Sequence, residues 1–401
     1  MHNSTPGRRT VLLGSAVSPP ERSVLGVGYR EYLTRVTTEA LLVSGLGLAD
    51  VEIGAISYNE RNVPEGALAP VVCDALGLVP RPFISISQAC AGGGVCADII
   101  SAYIESGRYR IGIVLGLNKP DNFDFRDAMG PIGNWTDVDY MLGFTHENYG
   151  YLRSEAYKQQ YGYDDRVAAR WARQCHWYAR RNPLALYSQG PLPTEEELLS
   201  STPAGYRART ATGRNLASCL VLASEDVAEE LGREPLFFTV GYAHRPCYIG
   251  NHYYYTGHPL YREADMSRQP ALALAARDAF ERARITVDDI DLAQVHDLSS
   301  YDGMMALEAM GVVAPGQGGR FVLEGQTAID GACPTNTDGG AIAFGHSSAG
   351  GDFASKVHEN FLQLTGRAGE RQVPSARTAV AQAYGTHHSL DVVSVLRRQD
   401  T

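Results

Sequence analysis

Between Val11 and Gly116 the apolar positions switch repeatedly between two spacings. Short β-branched runs at Val11–Val17, Ile53–Tyr58, Phe83–Ser87 and Ile111–Gly116 predict strands. The segments between them, Tyr29–Ser44, Ala67–Leu76 and Val95–Glu105, carry apolar residues at helical spacing and predict helices. Such alternation predicts a mostly parallel sheet with helices on both faces. Leu216–Ser224 reads as a further buried strand, with a helix at Glu225–Leu231 after it. From Leu236 the pattern begins again: strands at Phe237–Tyr242 and Leu292–His296, helices at Pro270–Arg284, Tyr301–Met310 and Gly350–Leu364, and terminal strands at Thr378–Tyr384 and Val392–Leu396. Two α/β stretches follow one another, although identity between them is too weak to define a repeat by sequence alone. The segment from about Lys119 to Asn215, rich in Tyr, Trp and Arg, fits neither stretch.

A chain of 401 residues is long enough for two or three units and a large core. Apolar residues at 44% and charged residues at 20% are ordinary for a globular enzyme. The formal net charge of -10 argues against nucleic-acid binding, which calls for a basic face. No apolar run approaches the length of a membrane span, and Val11–Val17 is too short for a signal-peptide core. Seven cysteines without a framework spacing point to a reducing cytoplasm, and with no Cys-x-x-Cys pair a zinc ribbon in this chain is not expected. Cys96 reads as a small core hydrophobe. There is no Gly-x-Gly-x-x-Gly or Walker-type loop, so no phosphate-cradling glycine motif is available. Arg166, Arg170, Arg173, Arg180 and Arg181 gather positive charge on one helix-like segment, either a solvated face or a site for the phosphates of coenzyme A or a carrier-protein arm.

The sharpest chemical signal is Phe83-Ile-Ser-Ile-Ser-Gln-Ala-Cys-Ala-Gly-Gly-Gly94. A strand delivers Cys90 to the start of a helix, where free N–H groups and the helix dipole favour thiolate. Gly92, Gly93 and Gly94 leave room for a substrate carbonyl and offer N–H groups to an oxyanion. Taken alone, the same residues fit a buried structural cysteine beside a tight turn.

The C-terminal third decides between these readings. It contains Phe321-Val-Leu-Glu-Gly325 and Asn336-Thr-Asp-Gly-Gly-Ala-Ile-Ala-Phe-Gly-His-Ser-Ser-Ala-Gly-Gly-Asp352. Together with the Cys90 segment these motifs, in order along nearly the whole chain, resemble the thiolase superfamily and its sterol carrier protein x type branch. Within that branch they resemble the thiolase-like subunit of bacterial acetyltransferases that acylate acylphloroglucinols. The resemblance implies an α/β fold of two βαβαβαββ halves in five αβαβα layers. Residues 1–118 with 216–233 would form the N-terminal half, 119–215 an inserted loop domain over the active site, and 234–401 the C-terminal half.

It also implies roles. Cys90 is the nucleophile and His346 its proton partner, with Ser348 orienting His346 or a substrate oxygen. His146 donates to a substrate oxygen, and His296 with Asp297 holds an oxyanion or water. Gly345, Tyr301, Tyr384 and Arg61 line the substrate pocket. Arg61 stands where the phloroglucinol-type subunit has a histidine, so the acceptor pocket differs. Leu298 follows Asp297 and Tyr384-Gly-Thr-His-His388 stands near the end, so the second cysteine of degradative thiolases is not evident. Ordinary acetoacetyl-CoA condensation is thereby put in doubt, and an acceptor that is already nucleophilic, an electron-rich phenol or a stabilised enolate, is favoured.

The expected activity is acyl transfer to carbon through an acyl-Cys90 thioester, in secondary metabolism. No permanently bound cofactor or metal is expected, and acyl-CoA or a carrier-bound acyl group is the donor. A homodimer pairing through the strand at Phe83–Ser87 and an OB-fold zinc-ribbon partner are further expectations. The competing readings are a lyase, a retro-aldolase on a CoA thioester using Tyr301 and Tyr384, and a non-catalytic scaffold or lipid-carrier subunit.

Overall fold

A computed structural model describes residues 8–21, 26–59, 63, 67–119, 146–201, 209–211, 213–244, 265–347, 349–385 and 388–399. Strand β1 (Thr10–Val17) leads to α1 (Tyr29–Ser44), β2 (Ile53–Tyr58), α2 (Leu68–Ala75), β3 (Phe83–Ile86), α3 (Gly92–Glu105) and β4 (Ile111–Asn118). Helices α4 (His146–Tyr161) and α5 (Asp165–Ala179) follow, then β5 (Leu216–Ser224) and β6 (Leu236–His244). The chain continues through α6 (Pro270–Ala283), β7 (Leu292–Gln294), α7 (Ser300–Ala309), α8 (Gly351–Leu364), β8 (Thr378–Gly385) and β9 (Leu390–Arg398). Helix α1 starts and stops where the hydrophobic spacing predicts, and Gly45 closes it with the positive φ of 78° that suits a residue without Cβ.

The strands form one nine-stranded sheet in the order β3-β2-β4-β5-β1-β6-β9-β8-β7. Read outward from the β1–β6 junction, the two sides are the same. On one side β1 and β5 are antiparallel, β5 and β4 antiparallel, and β4, β2 and β3 parallel. On the other, β6 and β9 are antiparallel, β9 and β8 antiparallel, and β8 and β7 parallel. A lone parallel bridge between Ala293 and Thr335 stands where β3 would have its counterpart. The arrangement is thus duplicated in topology where the sequence retains little trace of it.

Alternation along the strands sorts the side chains into layers. In β4, Ile113, Leu115 and Leu117 pack with α1 and α2 residues such as Leu33, Val36 and Val72, whereas Val114 faces a cluster that includes Ile100 of α3 and Phe353 of α8. In β9, Val393 and Val395 pack with α6 residues, whereas Val392 and Leu396 join the α3–α8 cluster. Helices α3 and α8 touch strands of both sides and each other, so they form the middle layer between two sheet faces. Helices lie outside each face in turn, giving the α-β-α-β-α layering expected of the fold.

Close approach at the N-termini of the two central helices is achieved with glycine. A Cβ on Gly93 would lie 2.2 Å from the Gly350 carbonyl oxygen, one on Gly350 would lie 2.2 Å from Ser57 Cβ, and one on Gly92 would lie 2.1 Å from Ser57 Oγ. Gly94 similarly abuts Val392. This corrects the expectation for Gly92, Gly93 and Gly94: all three are buried, and their missing side chains admit a neighbouring helix and strand rather than a substrate.

Candidate active site

Cys90 sits in a single tight turn, Ala89–Ala91, between β3 and α3. Ala89 holds a left-handed φ of 48°, a conformation that costs a non-glycine residue roughly 1–2 kcal/mol. The end of β8 packs against this turn, and a Cβ on Gly385 would come 2.8 Å from the Gln88 carbonyl oxygen. The turn aims the thiol inward, and Cys90 is buried.

His346 reaches the thiol from a chain position 256 residues away, with Nε2 3.2 Å from Cys90 Sγ. Its backbone is pinned, since the Arg214 N–H donates to the His346 carbonyl oxygen at 2.8 Å. His296 follows the C-terminal end of β7 and is fully buried. Cys90 Sγ and one nitrogen from each of His296 and His346 lie within 4.8 Å of one another. Among the described residues this is the group of His, Cys, Asp and Glu placed to hold a metal ion, and a soft N₂S donor set suits zinc. Without an ion, the same atoms form a buried thiol with two imidazoles around it.

Asp352, in the first turn of α8, supplies what the sequence reading left out. Its Oδ2 accepts a hydrogen bond from His296 Nδ1 at 2.5 Å and another from Lys356 Nζ at 2.8 Å. His296, Asp352 and Lys356 are all buried. His296 Nε2 has no hydrogen-bond partner among the described residues. The His296 backbone N–H donates to Gln382 Oε1 at 2.9 Å, and Gln382 donates in turn to Asp391 at 3.1 Å, so β8 and β9 fix the loop that carries the imidazole. The Tyr384 ring meets His296 edge-on with centroids 4.5 Å apart, and the His388 ring stacks on Tyr384 at 3.5 Å.

Burial dominates the electrostatics. It pushes the Cys90 thiol well above its ordinary range, Asp352 adds to the rise, and Lys356 opposes it. The direction runs against the expected favouring of thiolate, since burial favours the neutral thiol. Burial would also raise the Asp352 carboxyl, but His296 and Lys356 outweigh it and hold the group well below the usual carboxylate range. Asp338 is pushed up to about 7 and Asp391 to about 8, both chiefly by burial.

The other sequence candidates fall into different places. Asp297 is buried, but its carboxylate is taken by Trp171 Nε1 at 2.8 Å, the Ala341 N–H at 2.7 Å and the Cys175 thiol at 3.4 Å. It ties α5 to the glycine-rich loop and does not join the Cys90 group. Tyr301 donates its hydroxyl to the Asp164 carbonyl oxygen at 2.7 Å and packs against Tyr157, within an aromatic cluster of α4, α7 and the loop between α4 and α5. Tyr384 is brought to the site and Tyr301 is not. Gly345 has a φ of 130° and a Cβ there would lie 2.6 Å from Pro20, so its place is set by backbone packing. His146 is the first residue of α4, but its side chain, like Arg61 and Ser348, lies outside the described residues. On α5, Arg166 is exposed and paired with Asp164 at 2.7 Å, and just beyond the helix the Arg181 guanidinium lies over the Trp177 ring at 3.6 Å.

Comparison with known proteins agrees with this architecture. The family described as thiolase C-terminal domain-like matches residues 255–398. An acetyl-CoA acetyltransferase of Methanothermobacter thermautotrophicus is 28% identical over 93% of this chain and 95% of its own length. The chain resembles the thiolase superfamily along nearly its whole length. Within that superfamily, sterol carrier protein 2 of Bos taurus is 25% identical over 90% of this chain and 67% of its own length. Among solved structures, the Ltp2-ChsH2 aldolase superimposes with a TM-score of 0.80 at 16% identity, covering 98% of this chain and 99% of that one. The thiolase fold is thus matched over almost the whole chain, and Cys90 and His346 come from opposite halves of the duplication.

Proposed function

We propose that this thiolase-superfamily chain is an acyltransferase that loads an acyl group onto Cys90 as a thioester and passes it to a carbon nucleophile. The observation that carries the reading is the 3.2 Å approach of Cys90 Sγ to His346 Nε2 inside a buried site. A thiol held neutral by burial gains nucleophilicity when the neighbouring imidazole takes its proton as the acyl carbonyl is attacked. His346 then returns that proton to the leaving thiol of the donor, coenzyme A or a carrier arm. Relatives named acetyl-CoA acetyltransferase, aligned over nearly the full chain, support acyl-CoA as the donor. The sterol carrier relative supports the sterol carrier protein x type branch. Asp297 acts here as a positioning residue for the loop beside His296.

The finer parts of the reading follow the resemblance: secondary metabolism, a cytoplasmic homodimer joined through the edge strand β3, and an OB-fold zinc-ribbon partner. The halves run over residues 1–118 with 216–233 and over 234–401, with 119–215 inserted. A structural neighbour that is an aldolase named for two components, Ltp2 and ChsH2, is in keeping with a partner. No helix of the described residues is long and apolar enough to cross a membrane. The lyase alternative uses Tyr301 and Tyr384; the Tyr301 hydroxyl is bound to a backbone carbonyl away from Cys90, whereas the Tyr384 ring lies against His296.

Mass spectrometry after incubation with acyl-CoA tests the proposal. An acyl adduct on Cys90 is expected, and Cys90→Ala removes both adduct and transfer while leaving the fold intact. Full turnover by that variant would overturn the acyl-enzyme reading.

A further inference from the structure

Among the described residues no second cysteine joins Cys90, yet the site holds a second acid–base group that the acyl-transfer chemistry above does not use. His296 Nδ1 is bound to a buried carboxylate, Asp352, and its Nε2 lies in the Cys90 cluster with no partner among the described residues. A carboxylate on one ring nitrogen fixes the tautomer, turns the ring, and stabilises the imidazolium that forms when the other nitrogen takes a proton. Lys356 binds the same carboxylate oxygen, Asp352 Oδ2, so the buried negative charge has a cationic partner besides His296.

We infer that His296, positioned by Asp352, is the base that removes a proton from the acceptor carbon and later returns it to Cys90. This deepens the acyltransfer reading and rests on it. In the step, His296 Nε2 takes the proton of an acidic C–H on the acceptor, and the freed electron pair attacks the acyl carbonyl on Cys90. The new carbon–carbon bond forms, the acyl carbon–sulfur bond breaks, and the thiolate leaves with that electron pair. The proton on Nε2 then passes to Sγ, so one C–H and one C–S bond are exchanged for one C–C and one S–H bond. The acceptor class follows: a carbon acid, such as the α-carbon of a thioester or other carbonyl, and not only a ring or enolate that is already nucleophilic. Asp352 is a positioning residue in this scheme and His296 a catalytic one.

The test uses the full chain and acetyl-CoA in D2O, reading the acetyl adduct on Cys90 and, separately, deuterium entry into the acetyl methyl group. Wild type is expected to show both. His296→Asn should keep the adduct and lower exchange by about 10²–10⁴-fold, the usual contribution of positioned acid–base help. Asp352→Asn combined with Lys356→Met leaves no orphaned charge and should show the same split; Asp352→Glu should restore part of the exchange. A low-field Nδ1 proton resonance, present in wild type and absent in the Asp352→Asn, Lys356→Met protein, is the matching spectroscopic signature. An adduct without exchange in wild type overturns the inference and leaves the acyl-enzyme reading standing. Exchange without an adduct overturns the acyl-enzyme reading and with it the step onto Cys90, and the absence of both overturns both. Equal loss of adduct and exchange in His296→Asn, or exchange that survives it, also overturns the inference.

Discussion

Helices α3 and α8 fill equivalent slots in the two halves of the fold, yet their N-termini do different work. The turn before α3 carries Cys90, and α3 opens on three glycines, an uncharged sequence that puts the thiol at the meeting point. The first turns of α8 carry Asp352 and Lys356, a buried ion pair that joins His296 rather than the nucleophile. Both pay for proximity, one with a left-handed alanine and the other with two desolvated charges. A buried pair of this kind seldom adds to stability over an apolar replacement, so its presence is explained by the imidazole it orients. A duplicated fold that brings two helix N-termini together can thus place a thiol and the imidazoles and ion pair around it on separate halves.

The largest expected effect breaks the link between the halves. His346→Ala should slow acylation of Cys90 by about 10²–10⁴-fold, read from the rate of adduct formation. Because the thiol is already pushed up by burial, alkylation of Cys90 near neutral pH should slow as well. Unchanged alkylation would assign His346 to the acceptor half-reaction.

Next is the contact between the helices themselves. Gly350→Ala drives a methyl group into Ser57 and the Gly93 backbone, and overpacking of this kind costs about 1–3 kcal/mol, visible as a lowered melting temperature. Gly28→Ala, where a Cβ meets nothing within 4 Å, should change little. Equal effects at both positions would refute the close crossing.

A third comparison uses Asp391, which lies behind His296 and is pushed up to about 8. The unfolded chain releases this proton at roughly pH 4, so between those values the native state binds more protons and stability falls as pH rises. Asp391→Asn should flatten the decline in melting temperature across that window. A profile identical to wild type would show that Asp391 is ionised in the fold.

The smallest effect is expected at Tyr301→Phe, which removes one hydrogen bond to Asp164, about 1 kcal/mol of stability, and leaves transfer intact. A loss of activity by orders of magnitude would instead favour the lyase reading.

Most strands and helices could be read from the sequence because each is a local pattern. The bounds of α1 match the prediction, and β2 and β5 do too. Cys90 and His346 were found through motifs, which record function without needing coordinates. Asp352 was quoted at the end of such a motif and still missed, because nothing local links it to a histidine 56 residues away. Its signal was faint: an acidic residue in the first turn of an amphipathic helix with a lysine four residues on, a pattern usually found on exposed faces. Tyr301 and Tyr384 looked equivalent as residues, and only the packing of α4 and α7 separates them.

The sequence by itself determined the alternation of elements and pointed to Cys90, His346 and the family resemblance, since these rest on spacing and on short motifs. Tertiary structure decided which groups meet. It turned Gly92, Gly93 and Gly94 from an oxyanion cradle into a helix crossing, reversed the expected direction of the Cys90 acidity, and gave His296 a carboxylate partner. Burial and long-range contact set those outcomes, and both depend on how the two halves face each other, which no local pattern encodes.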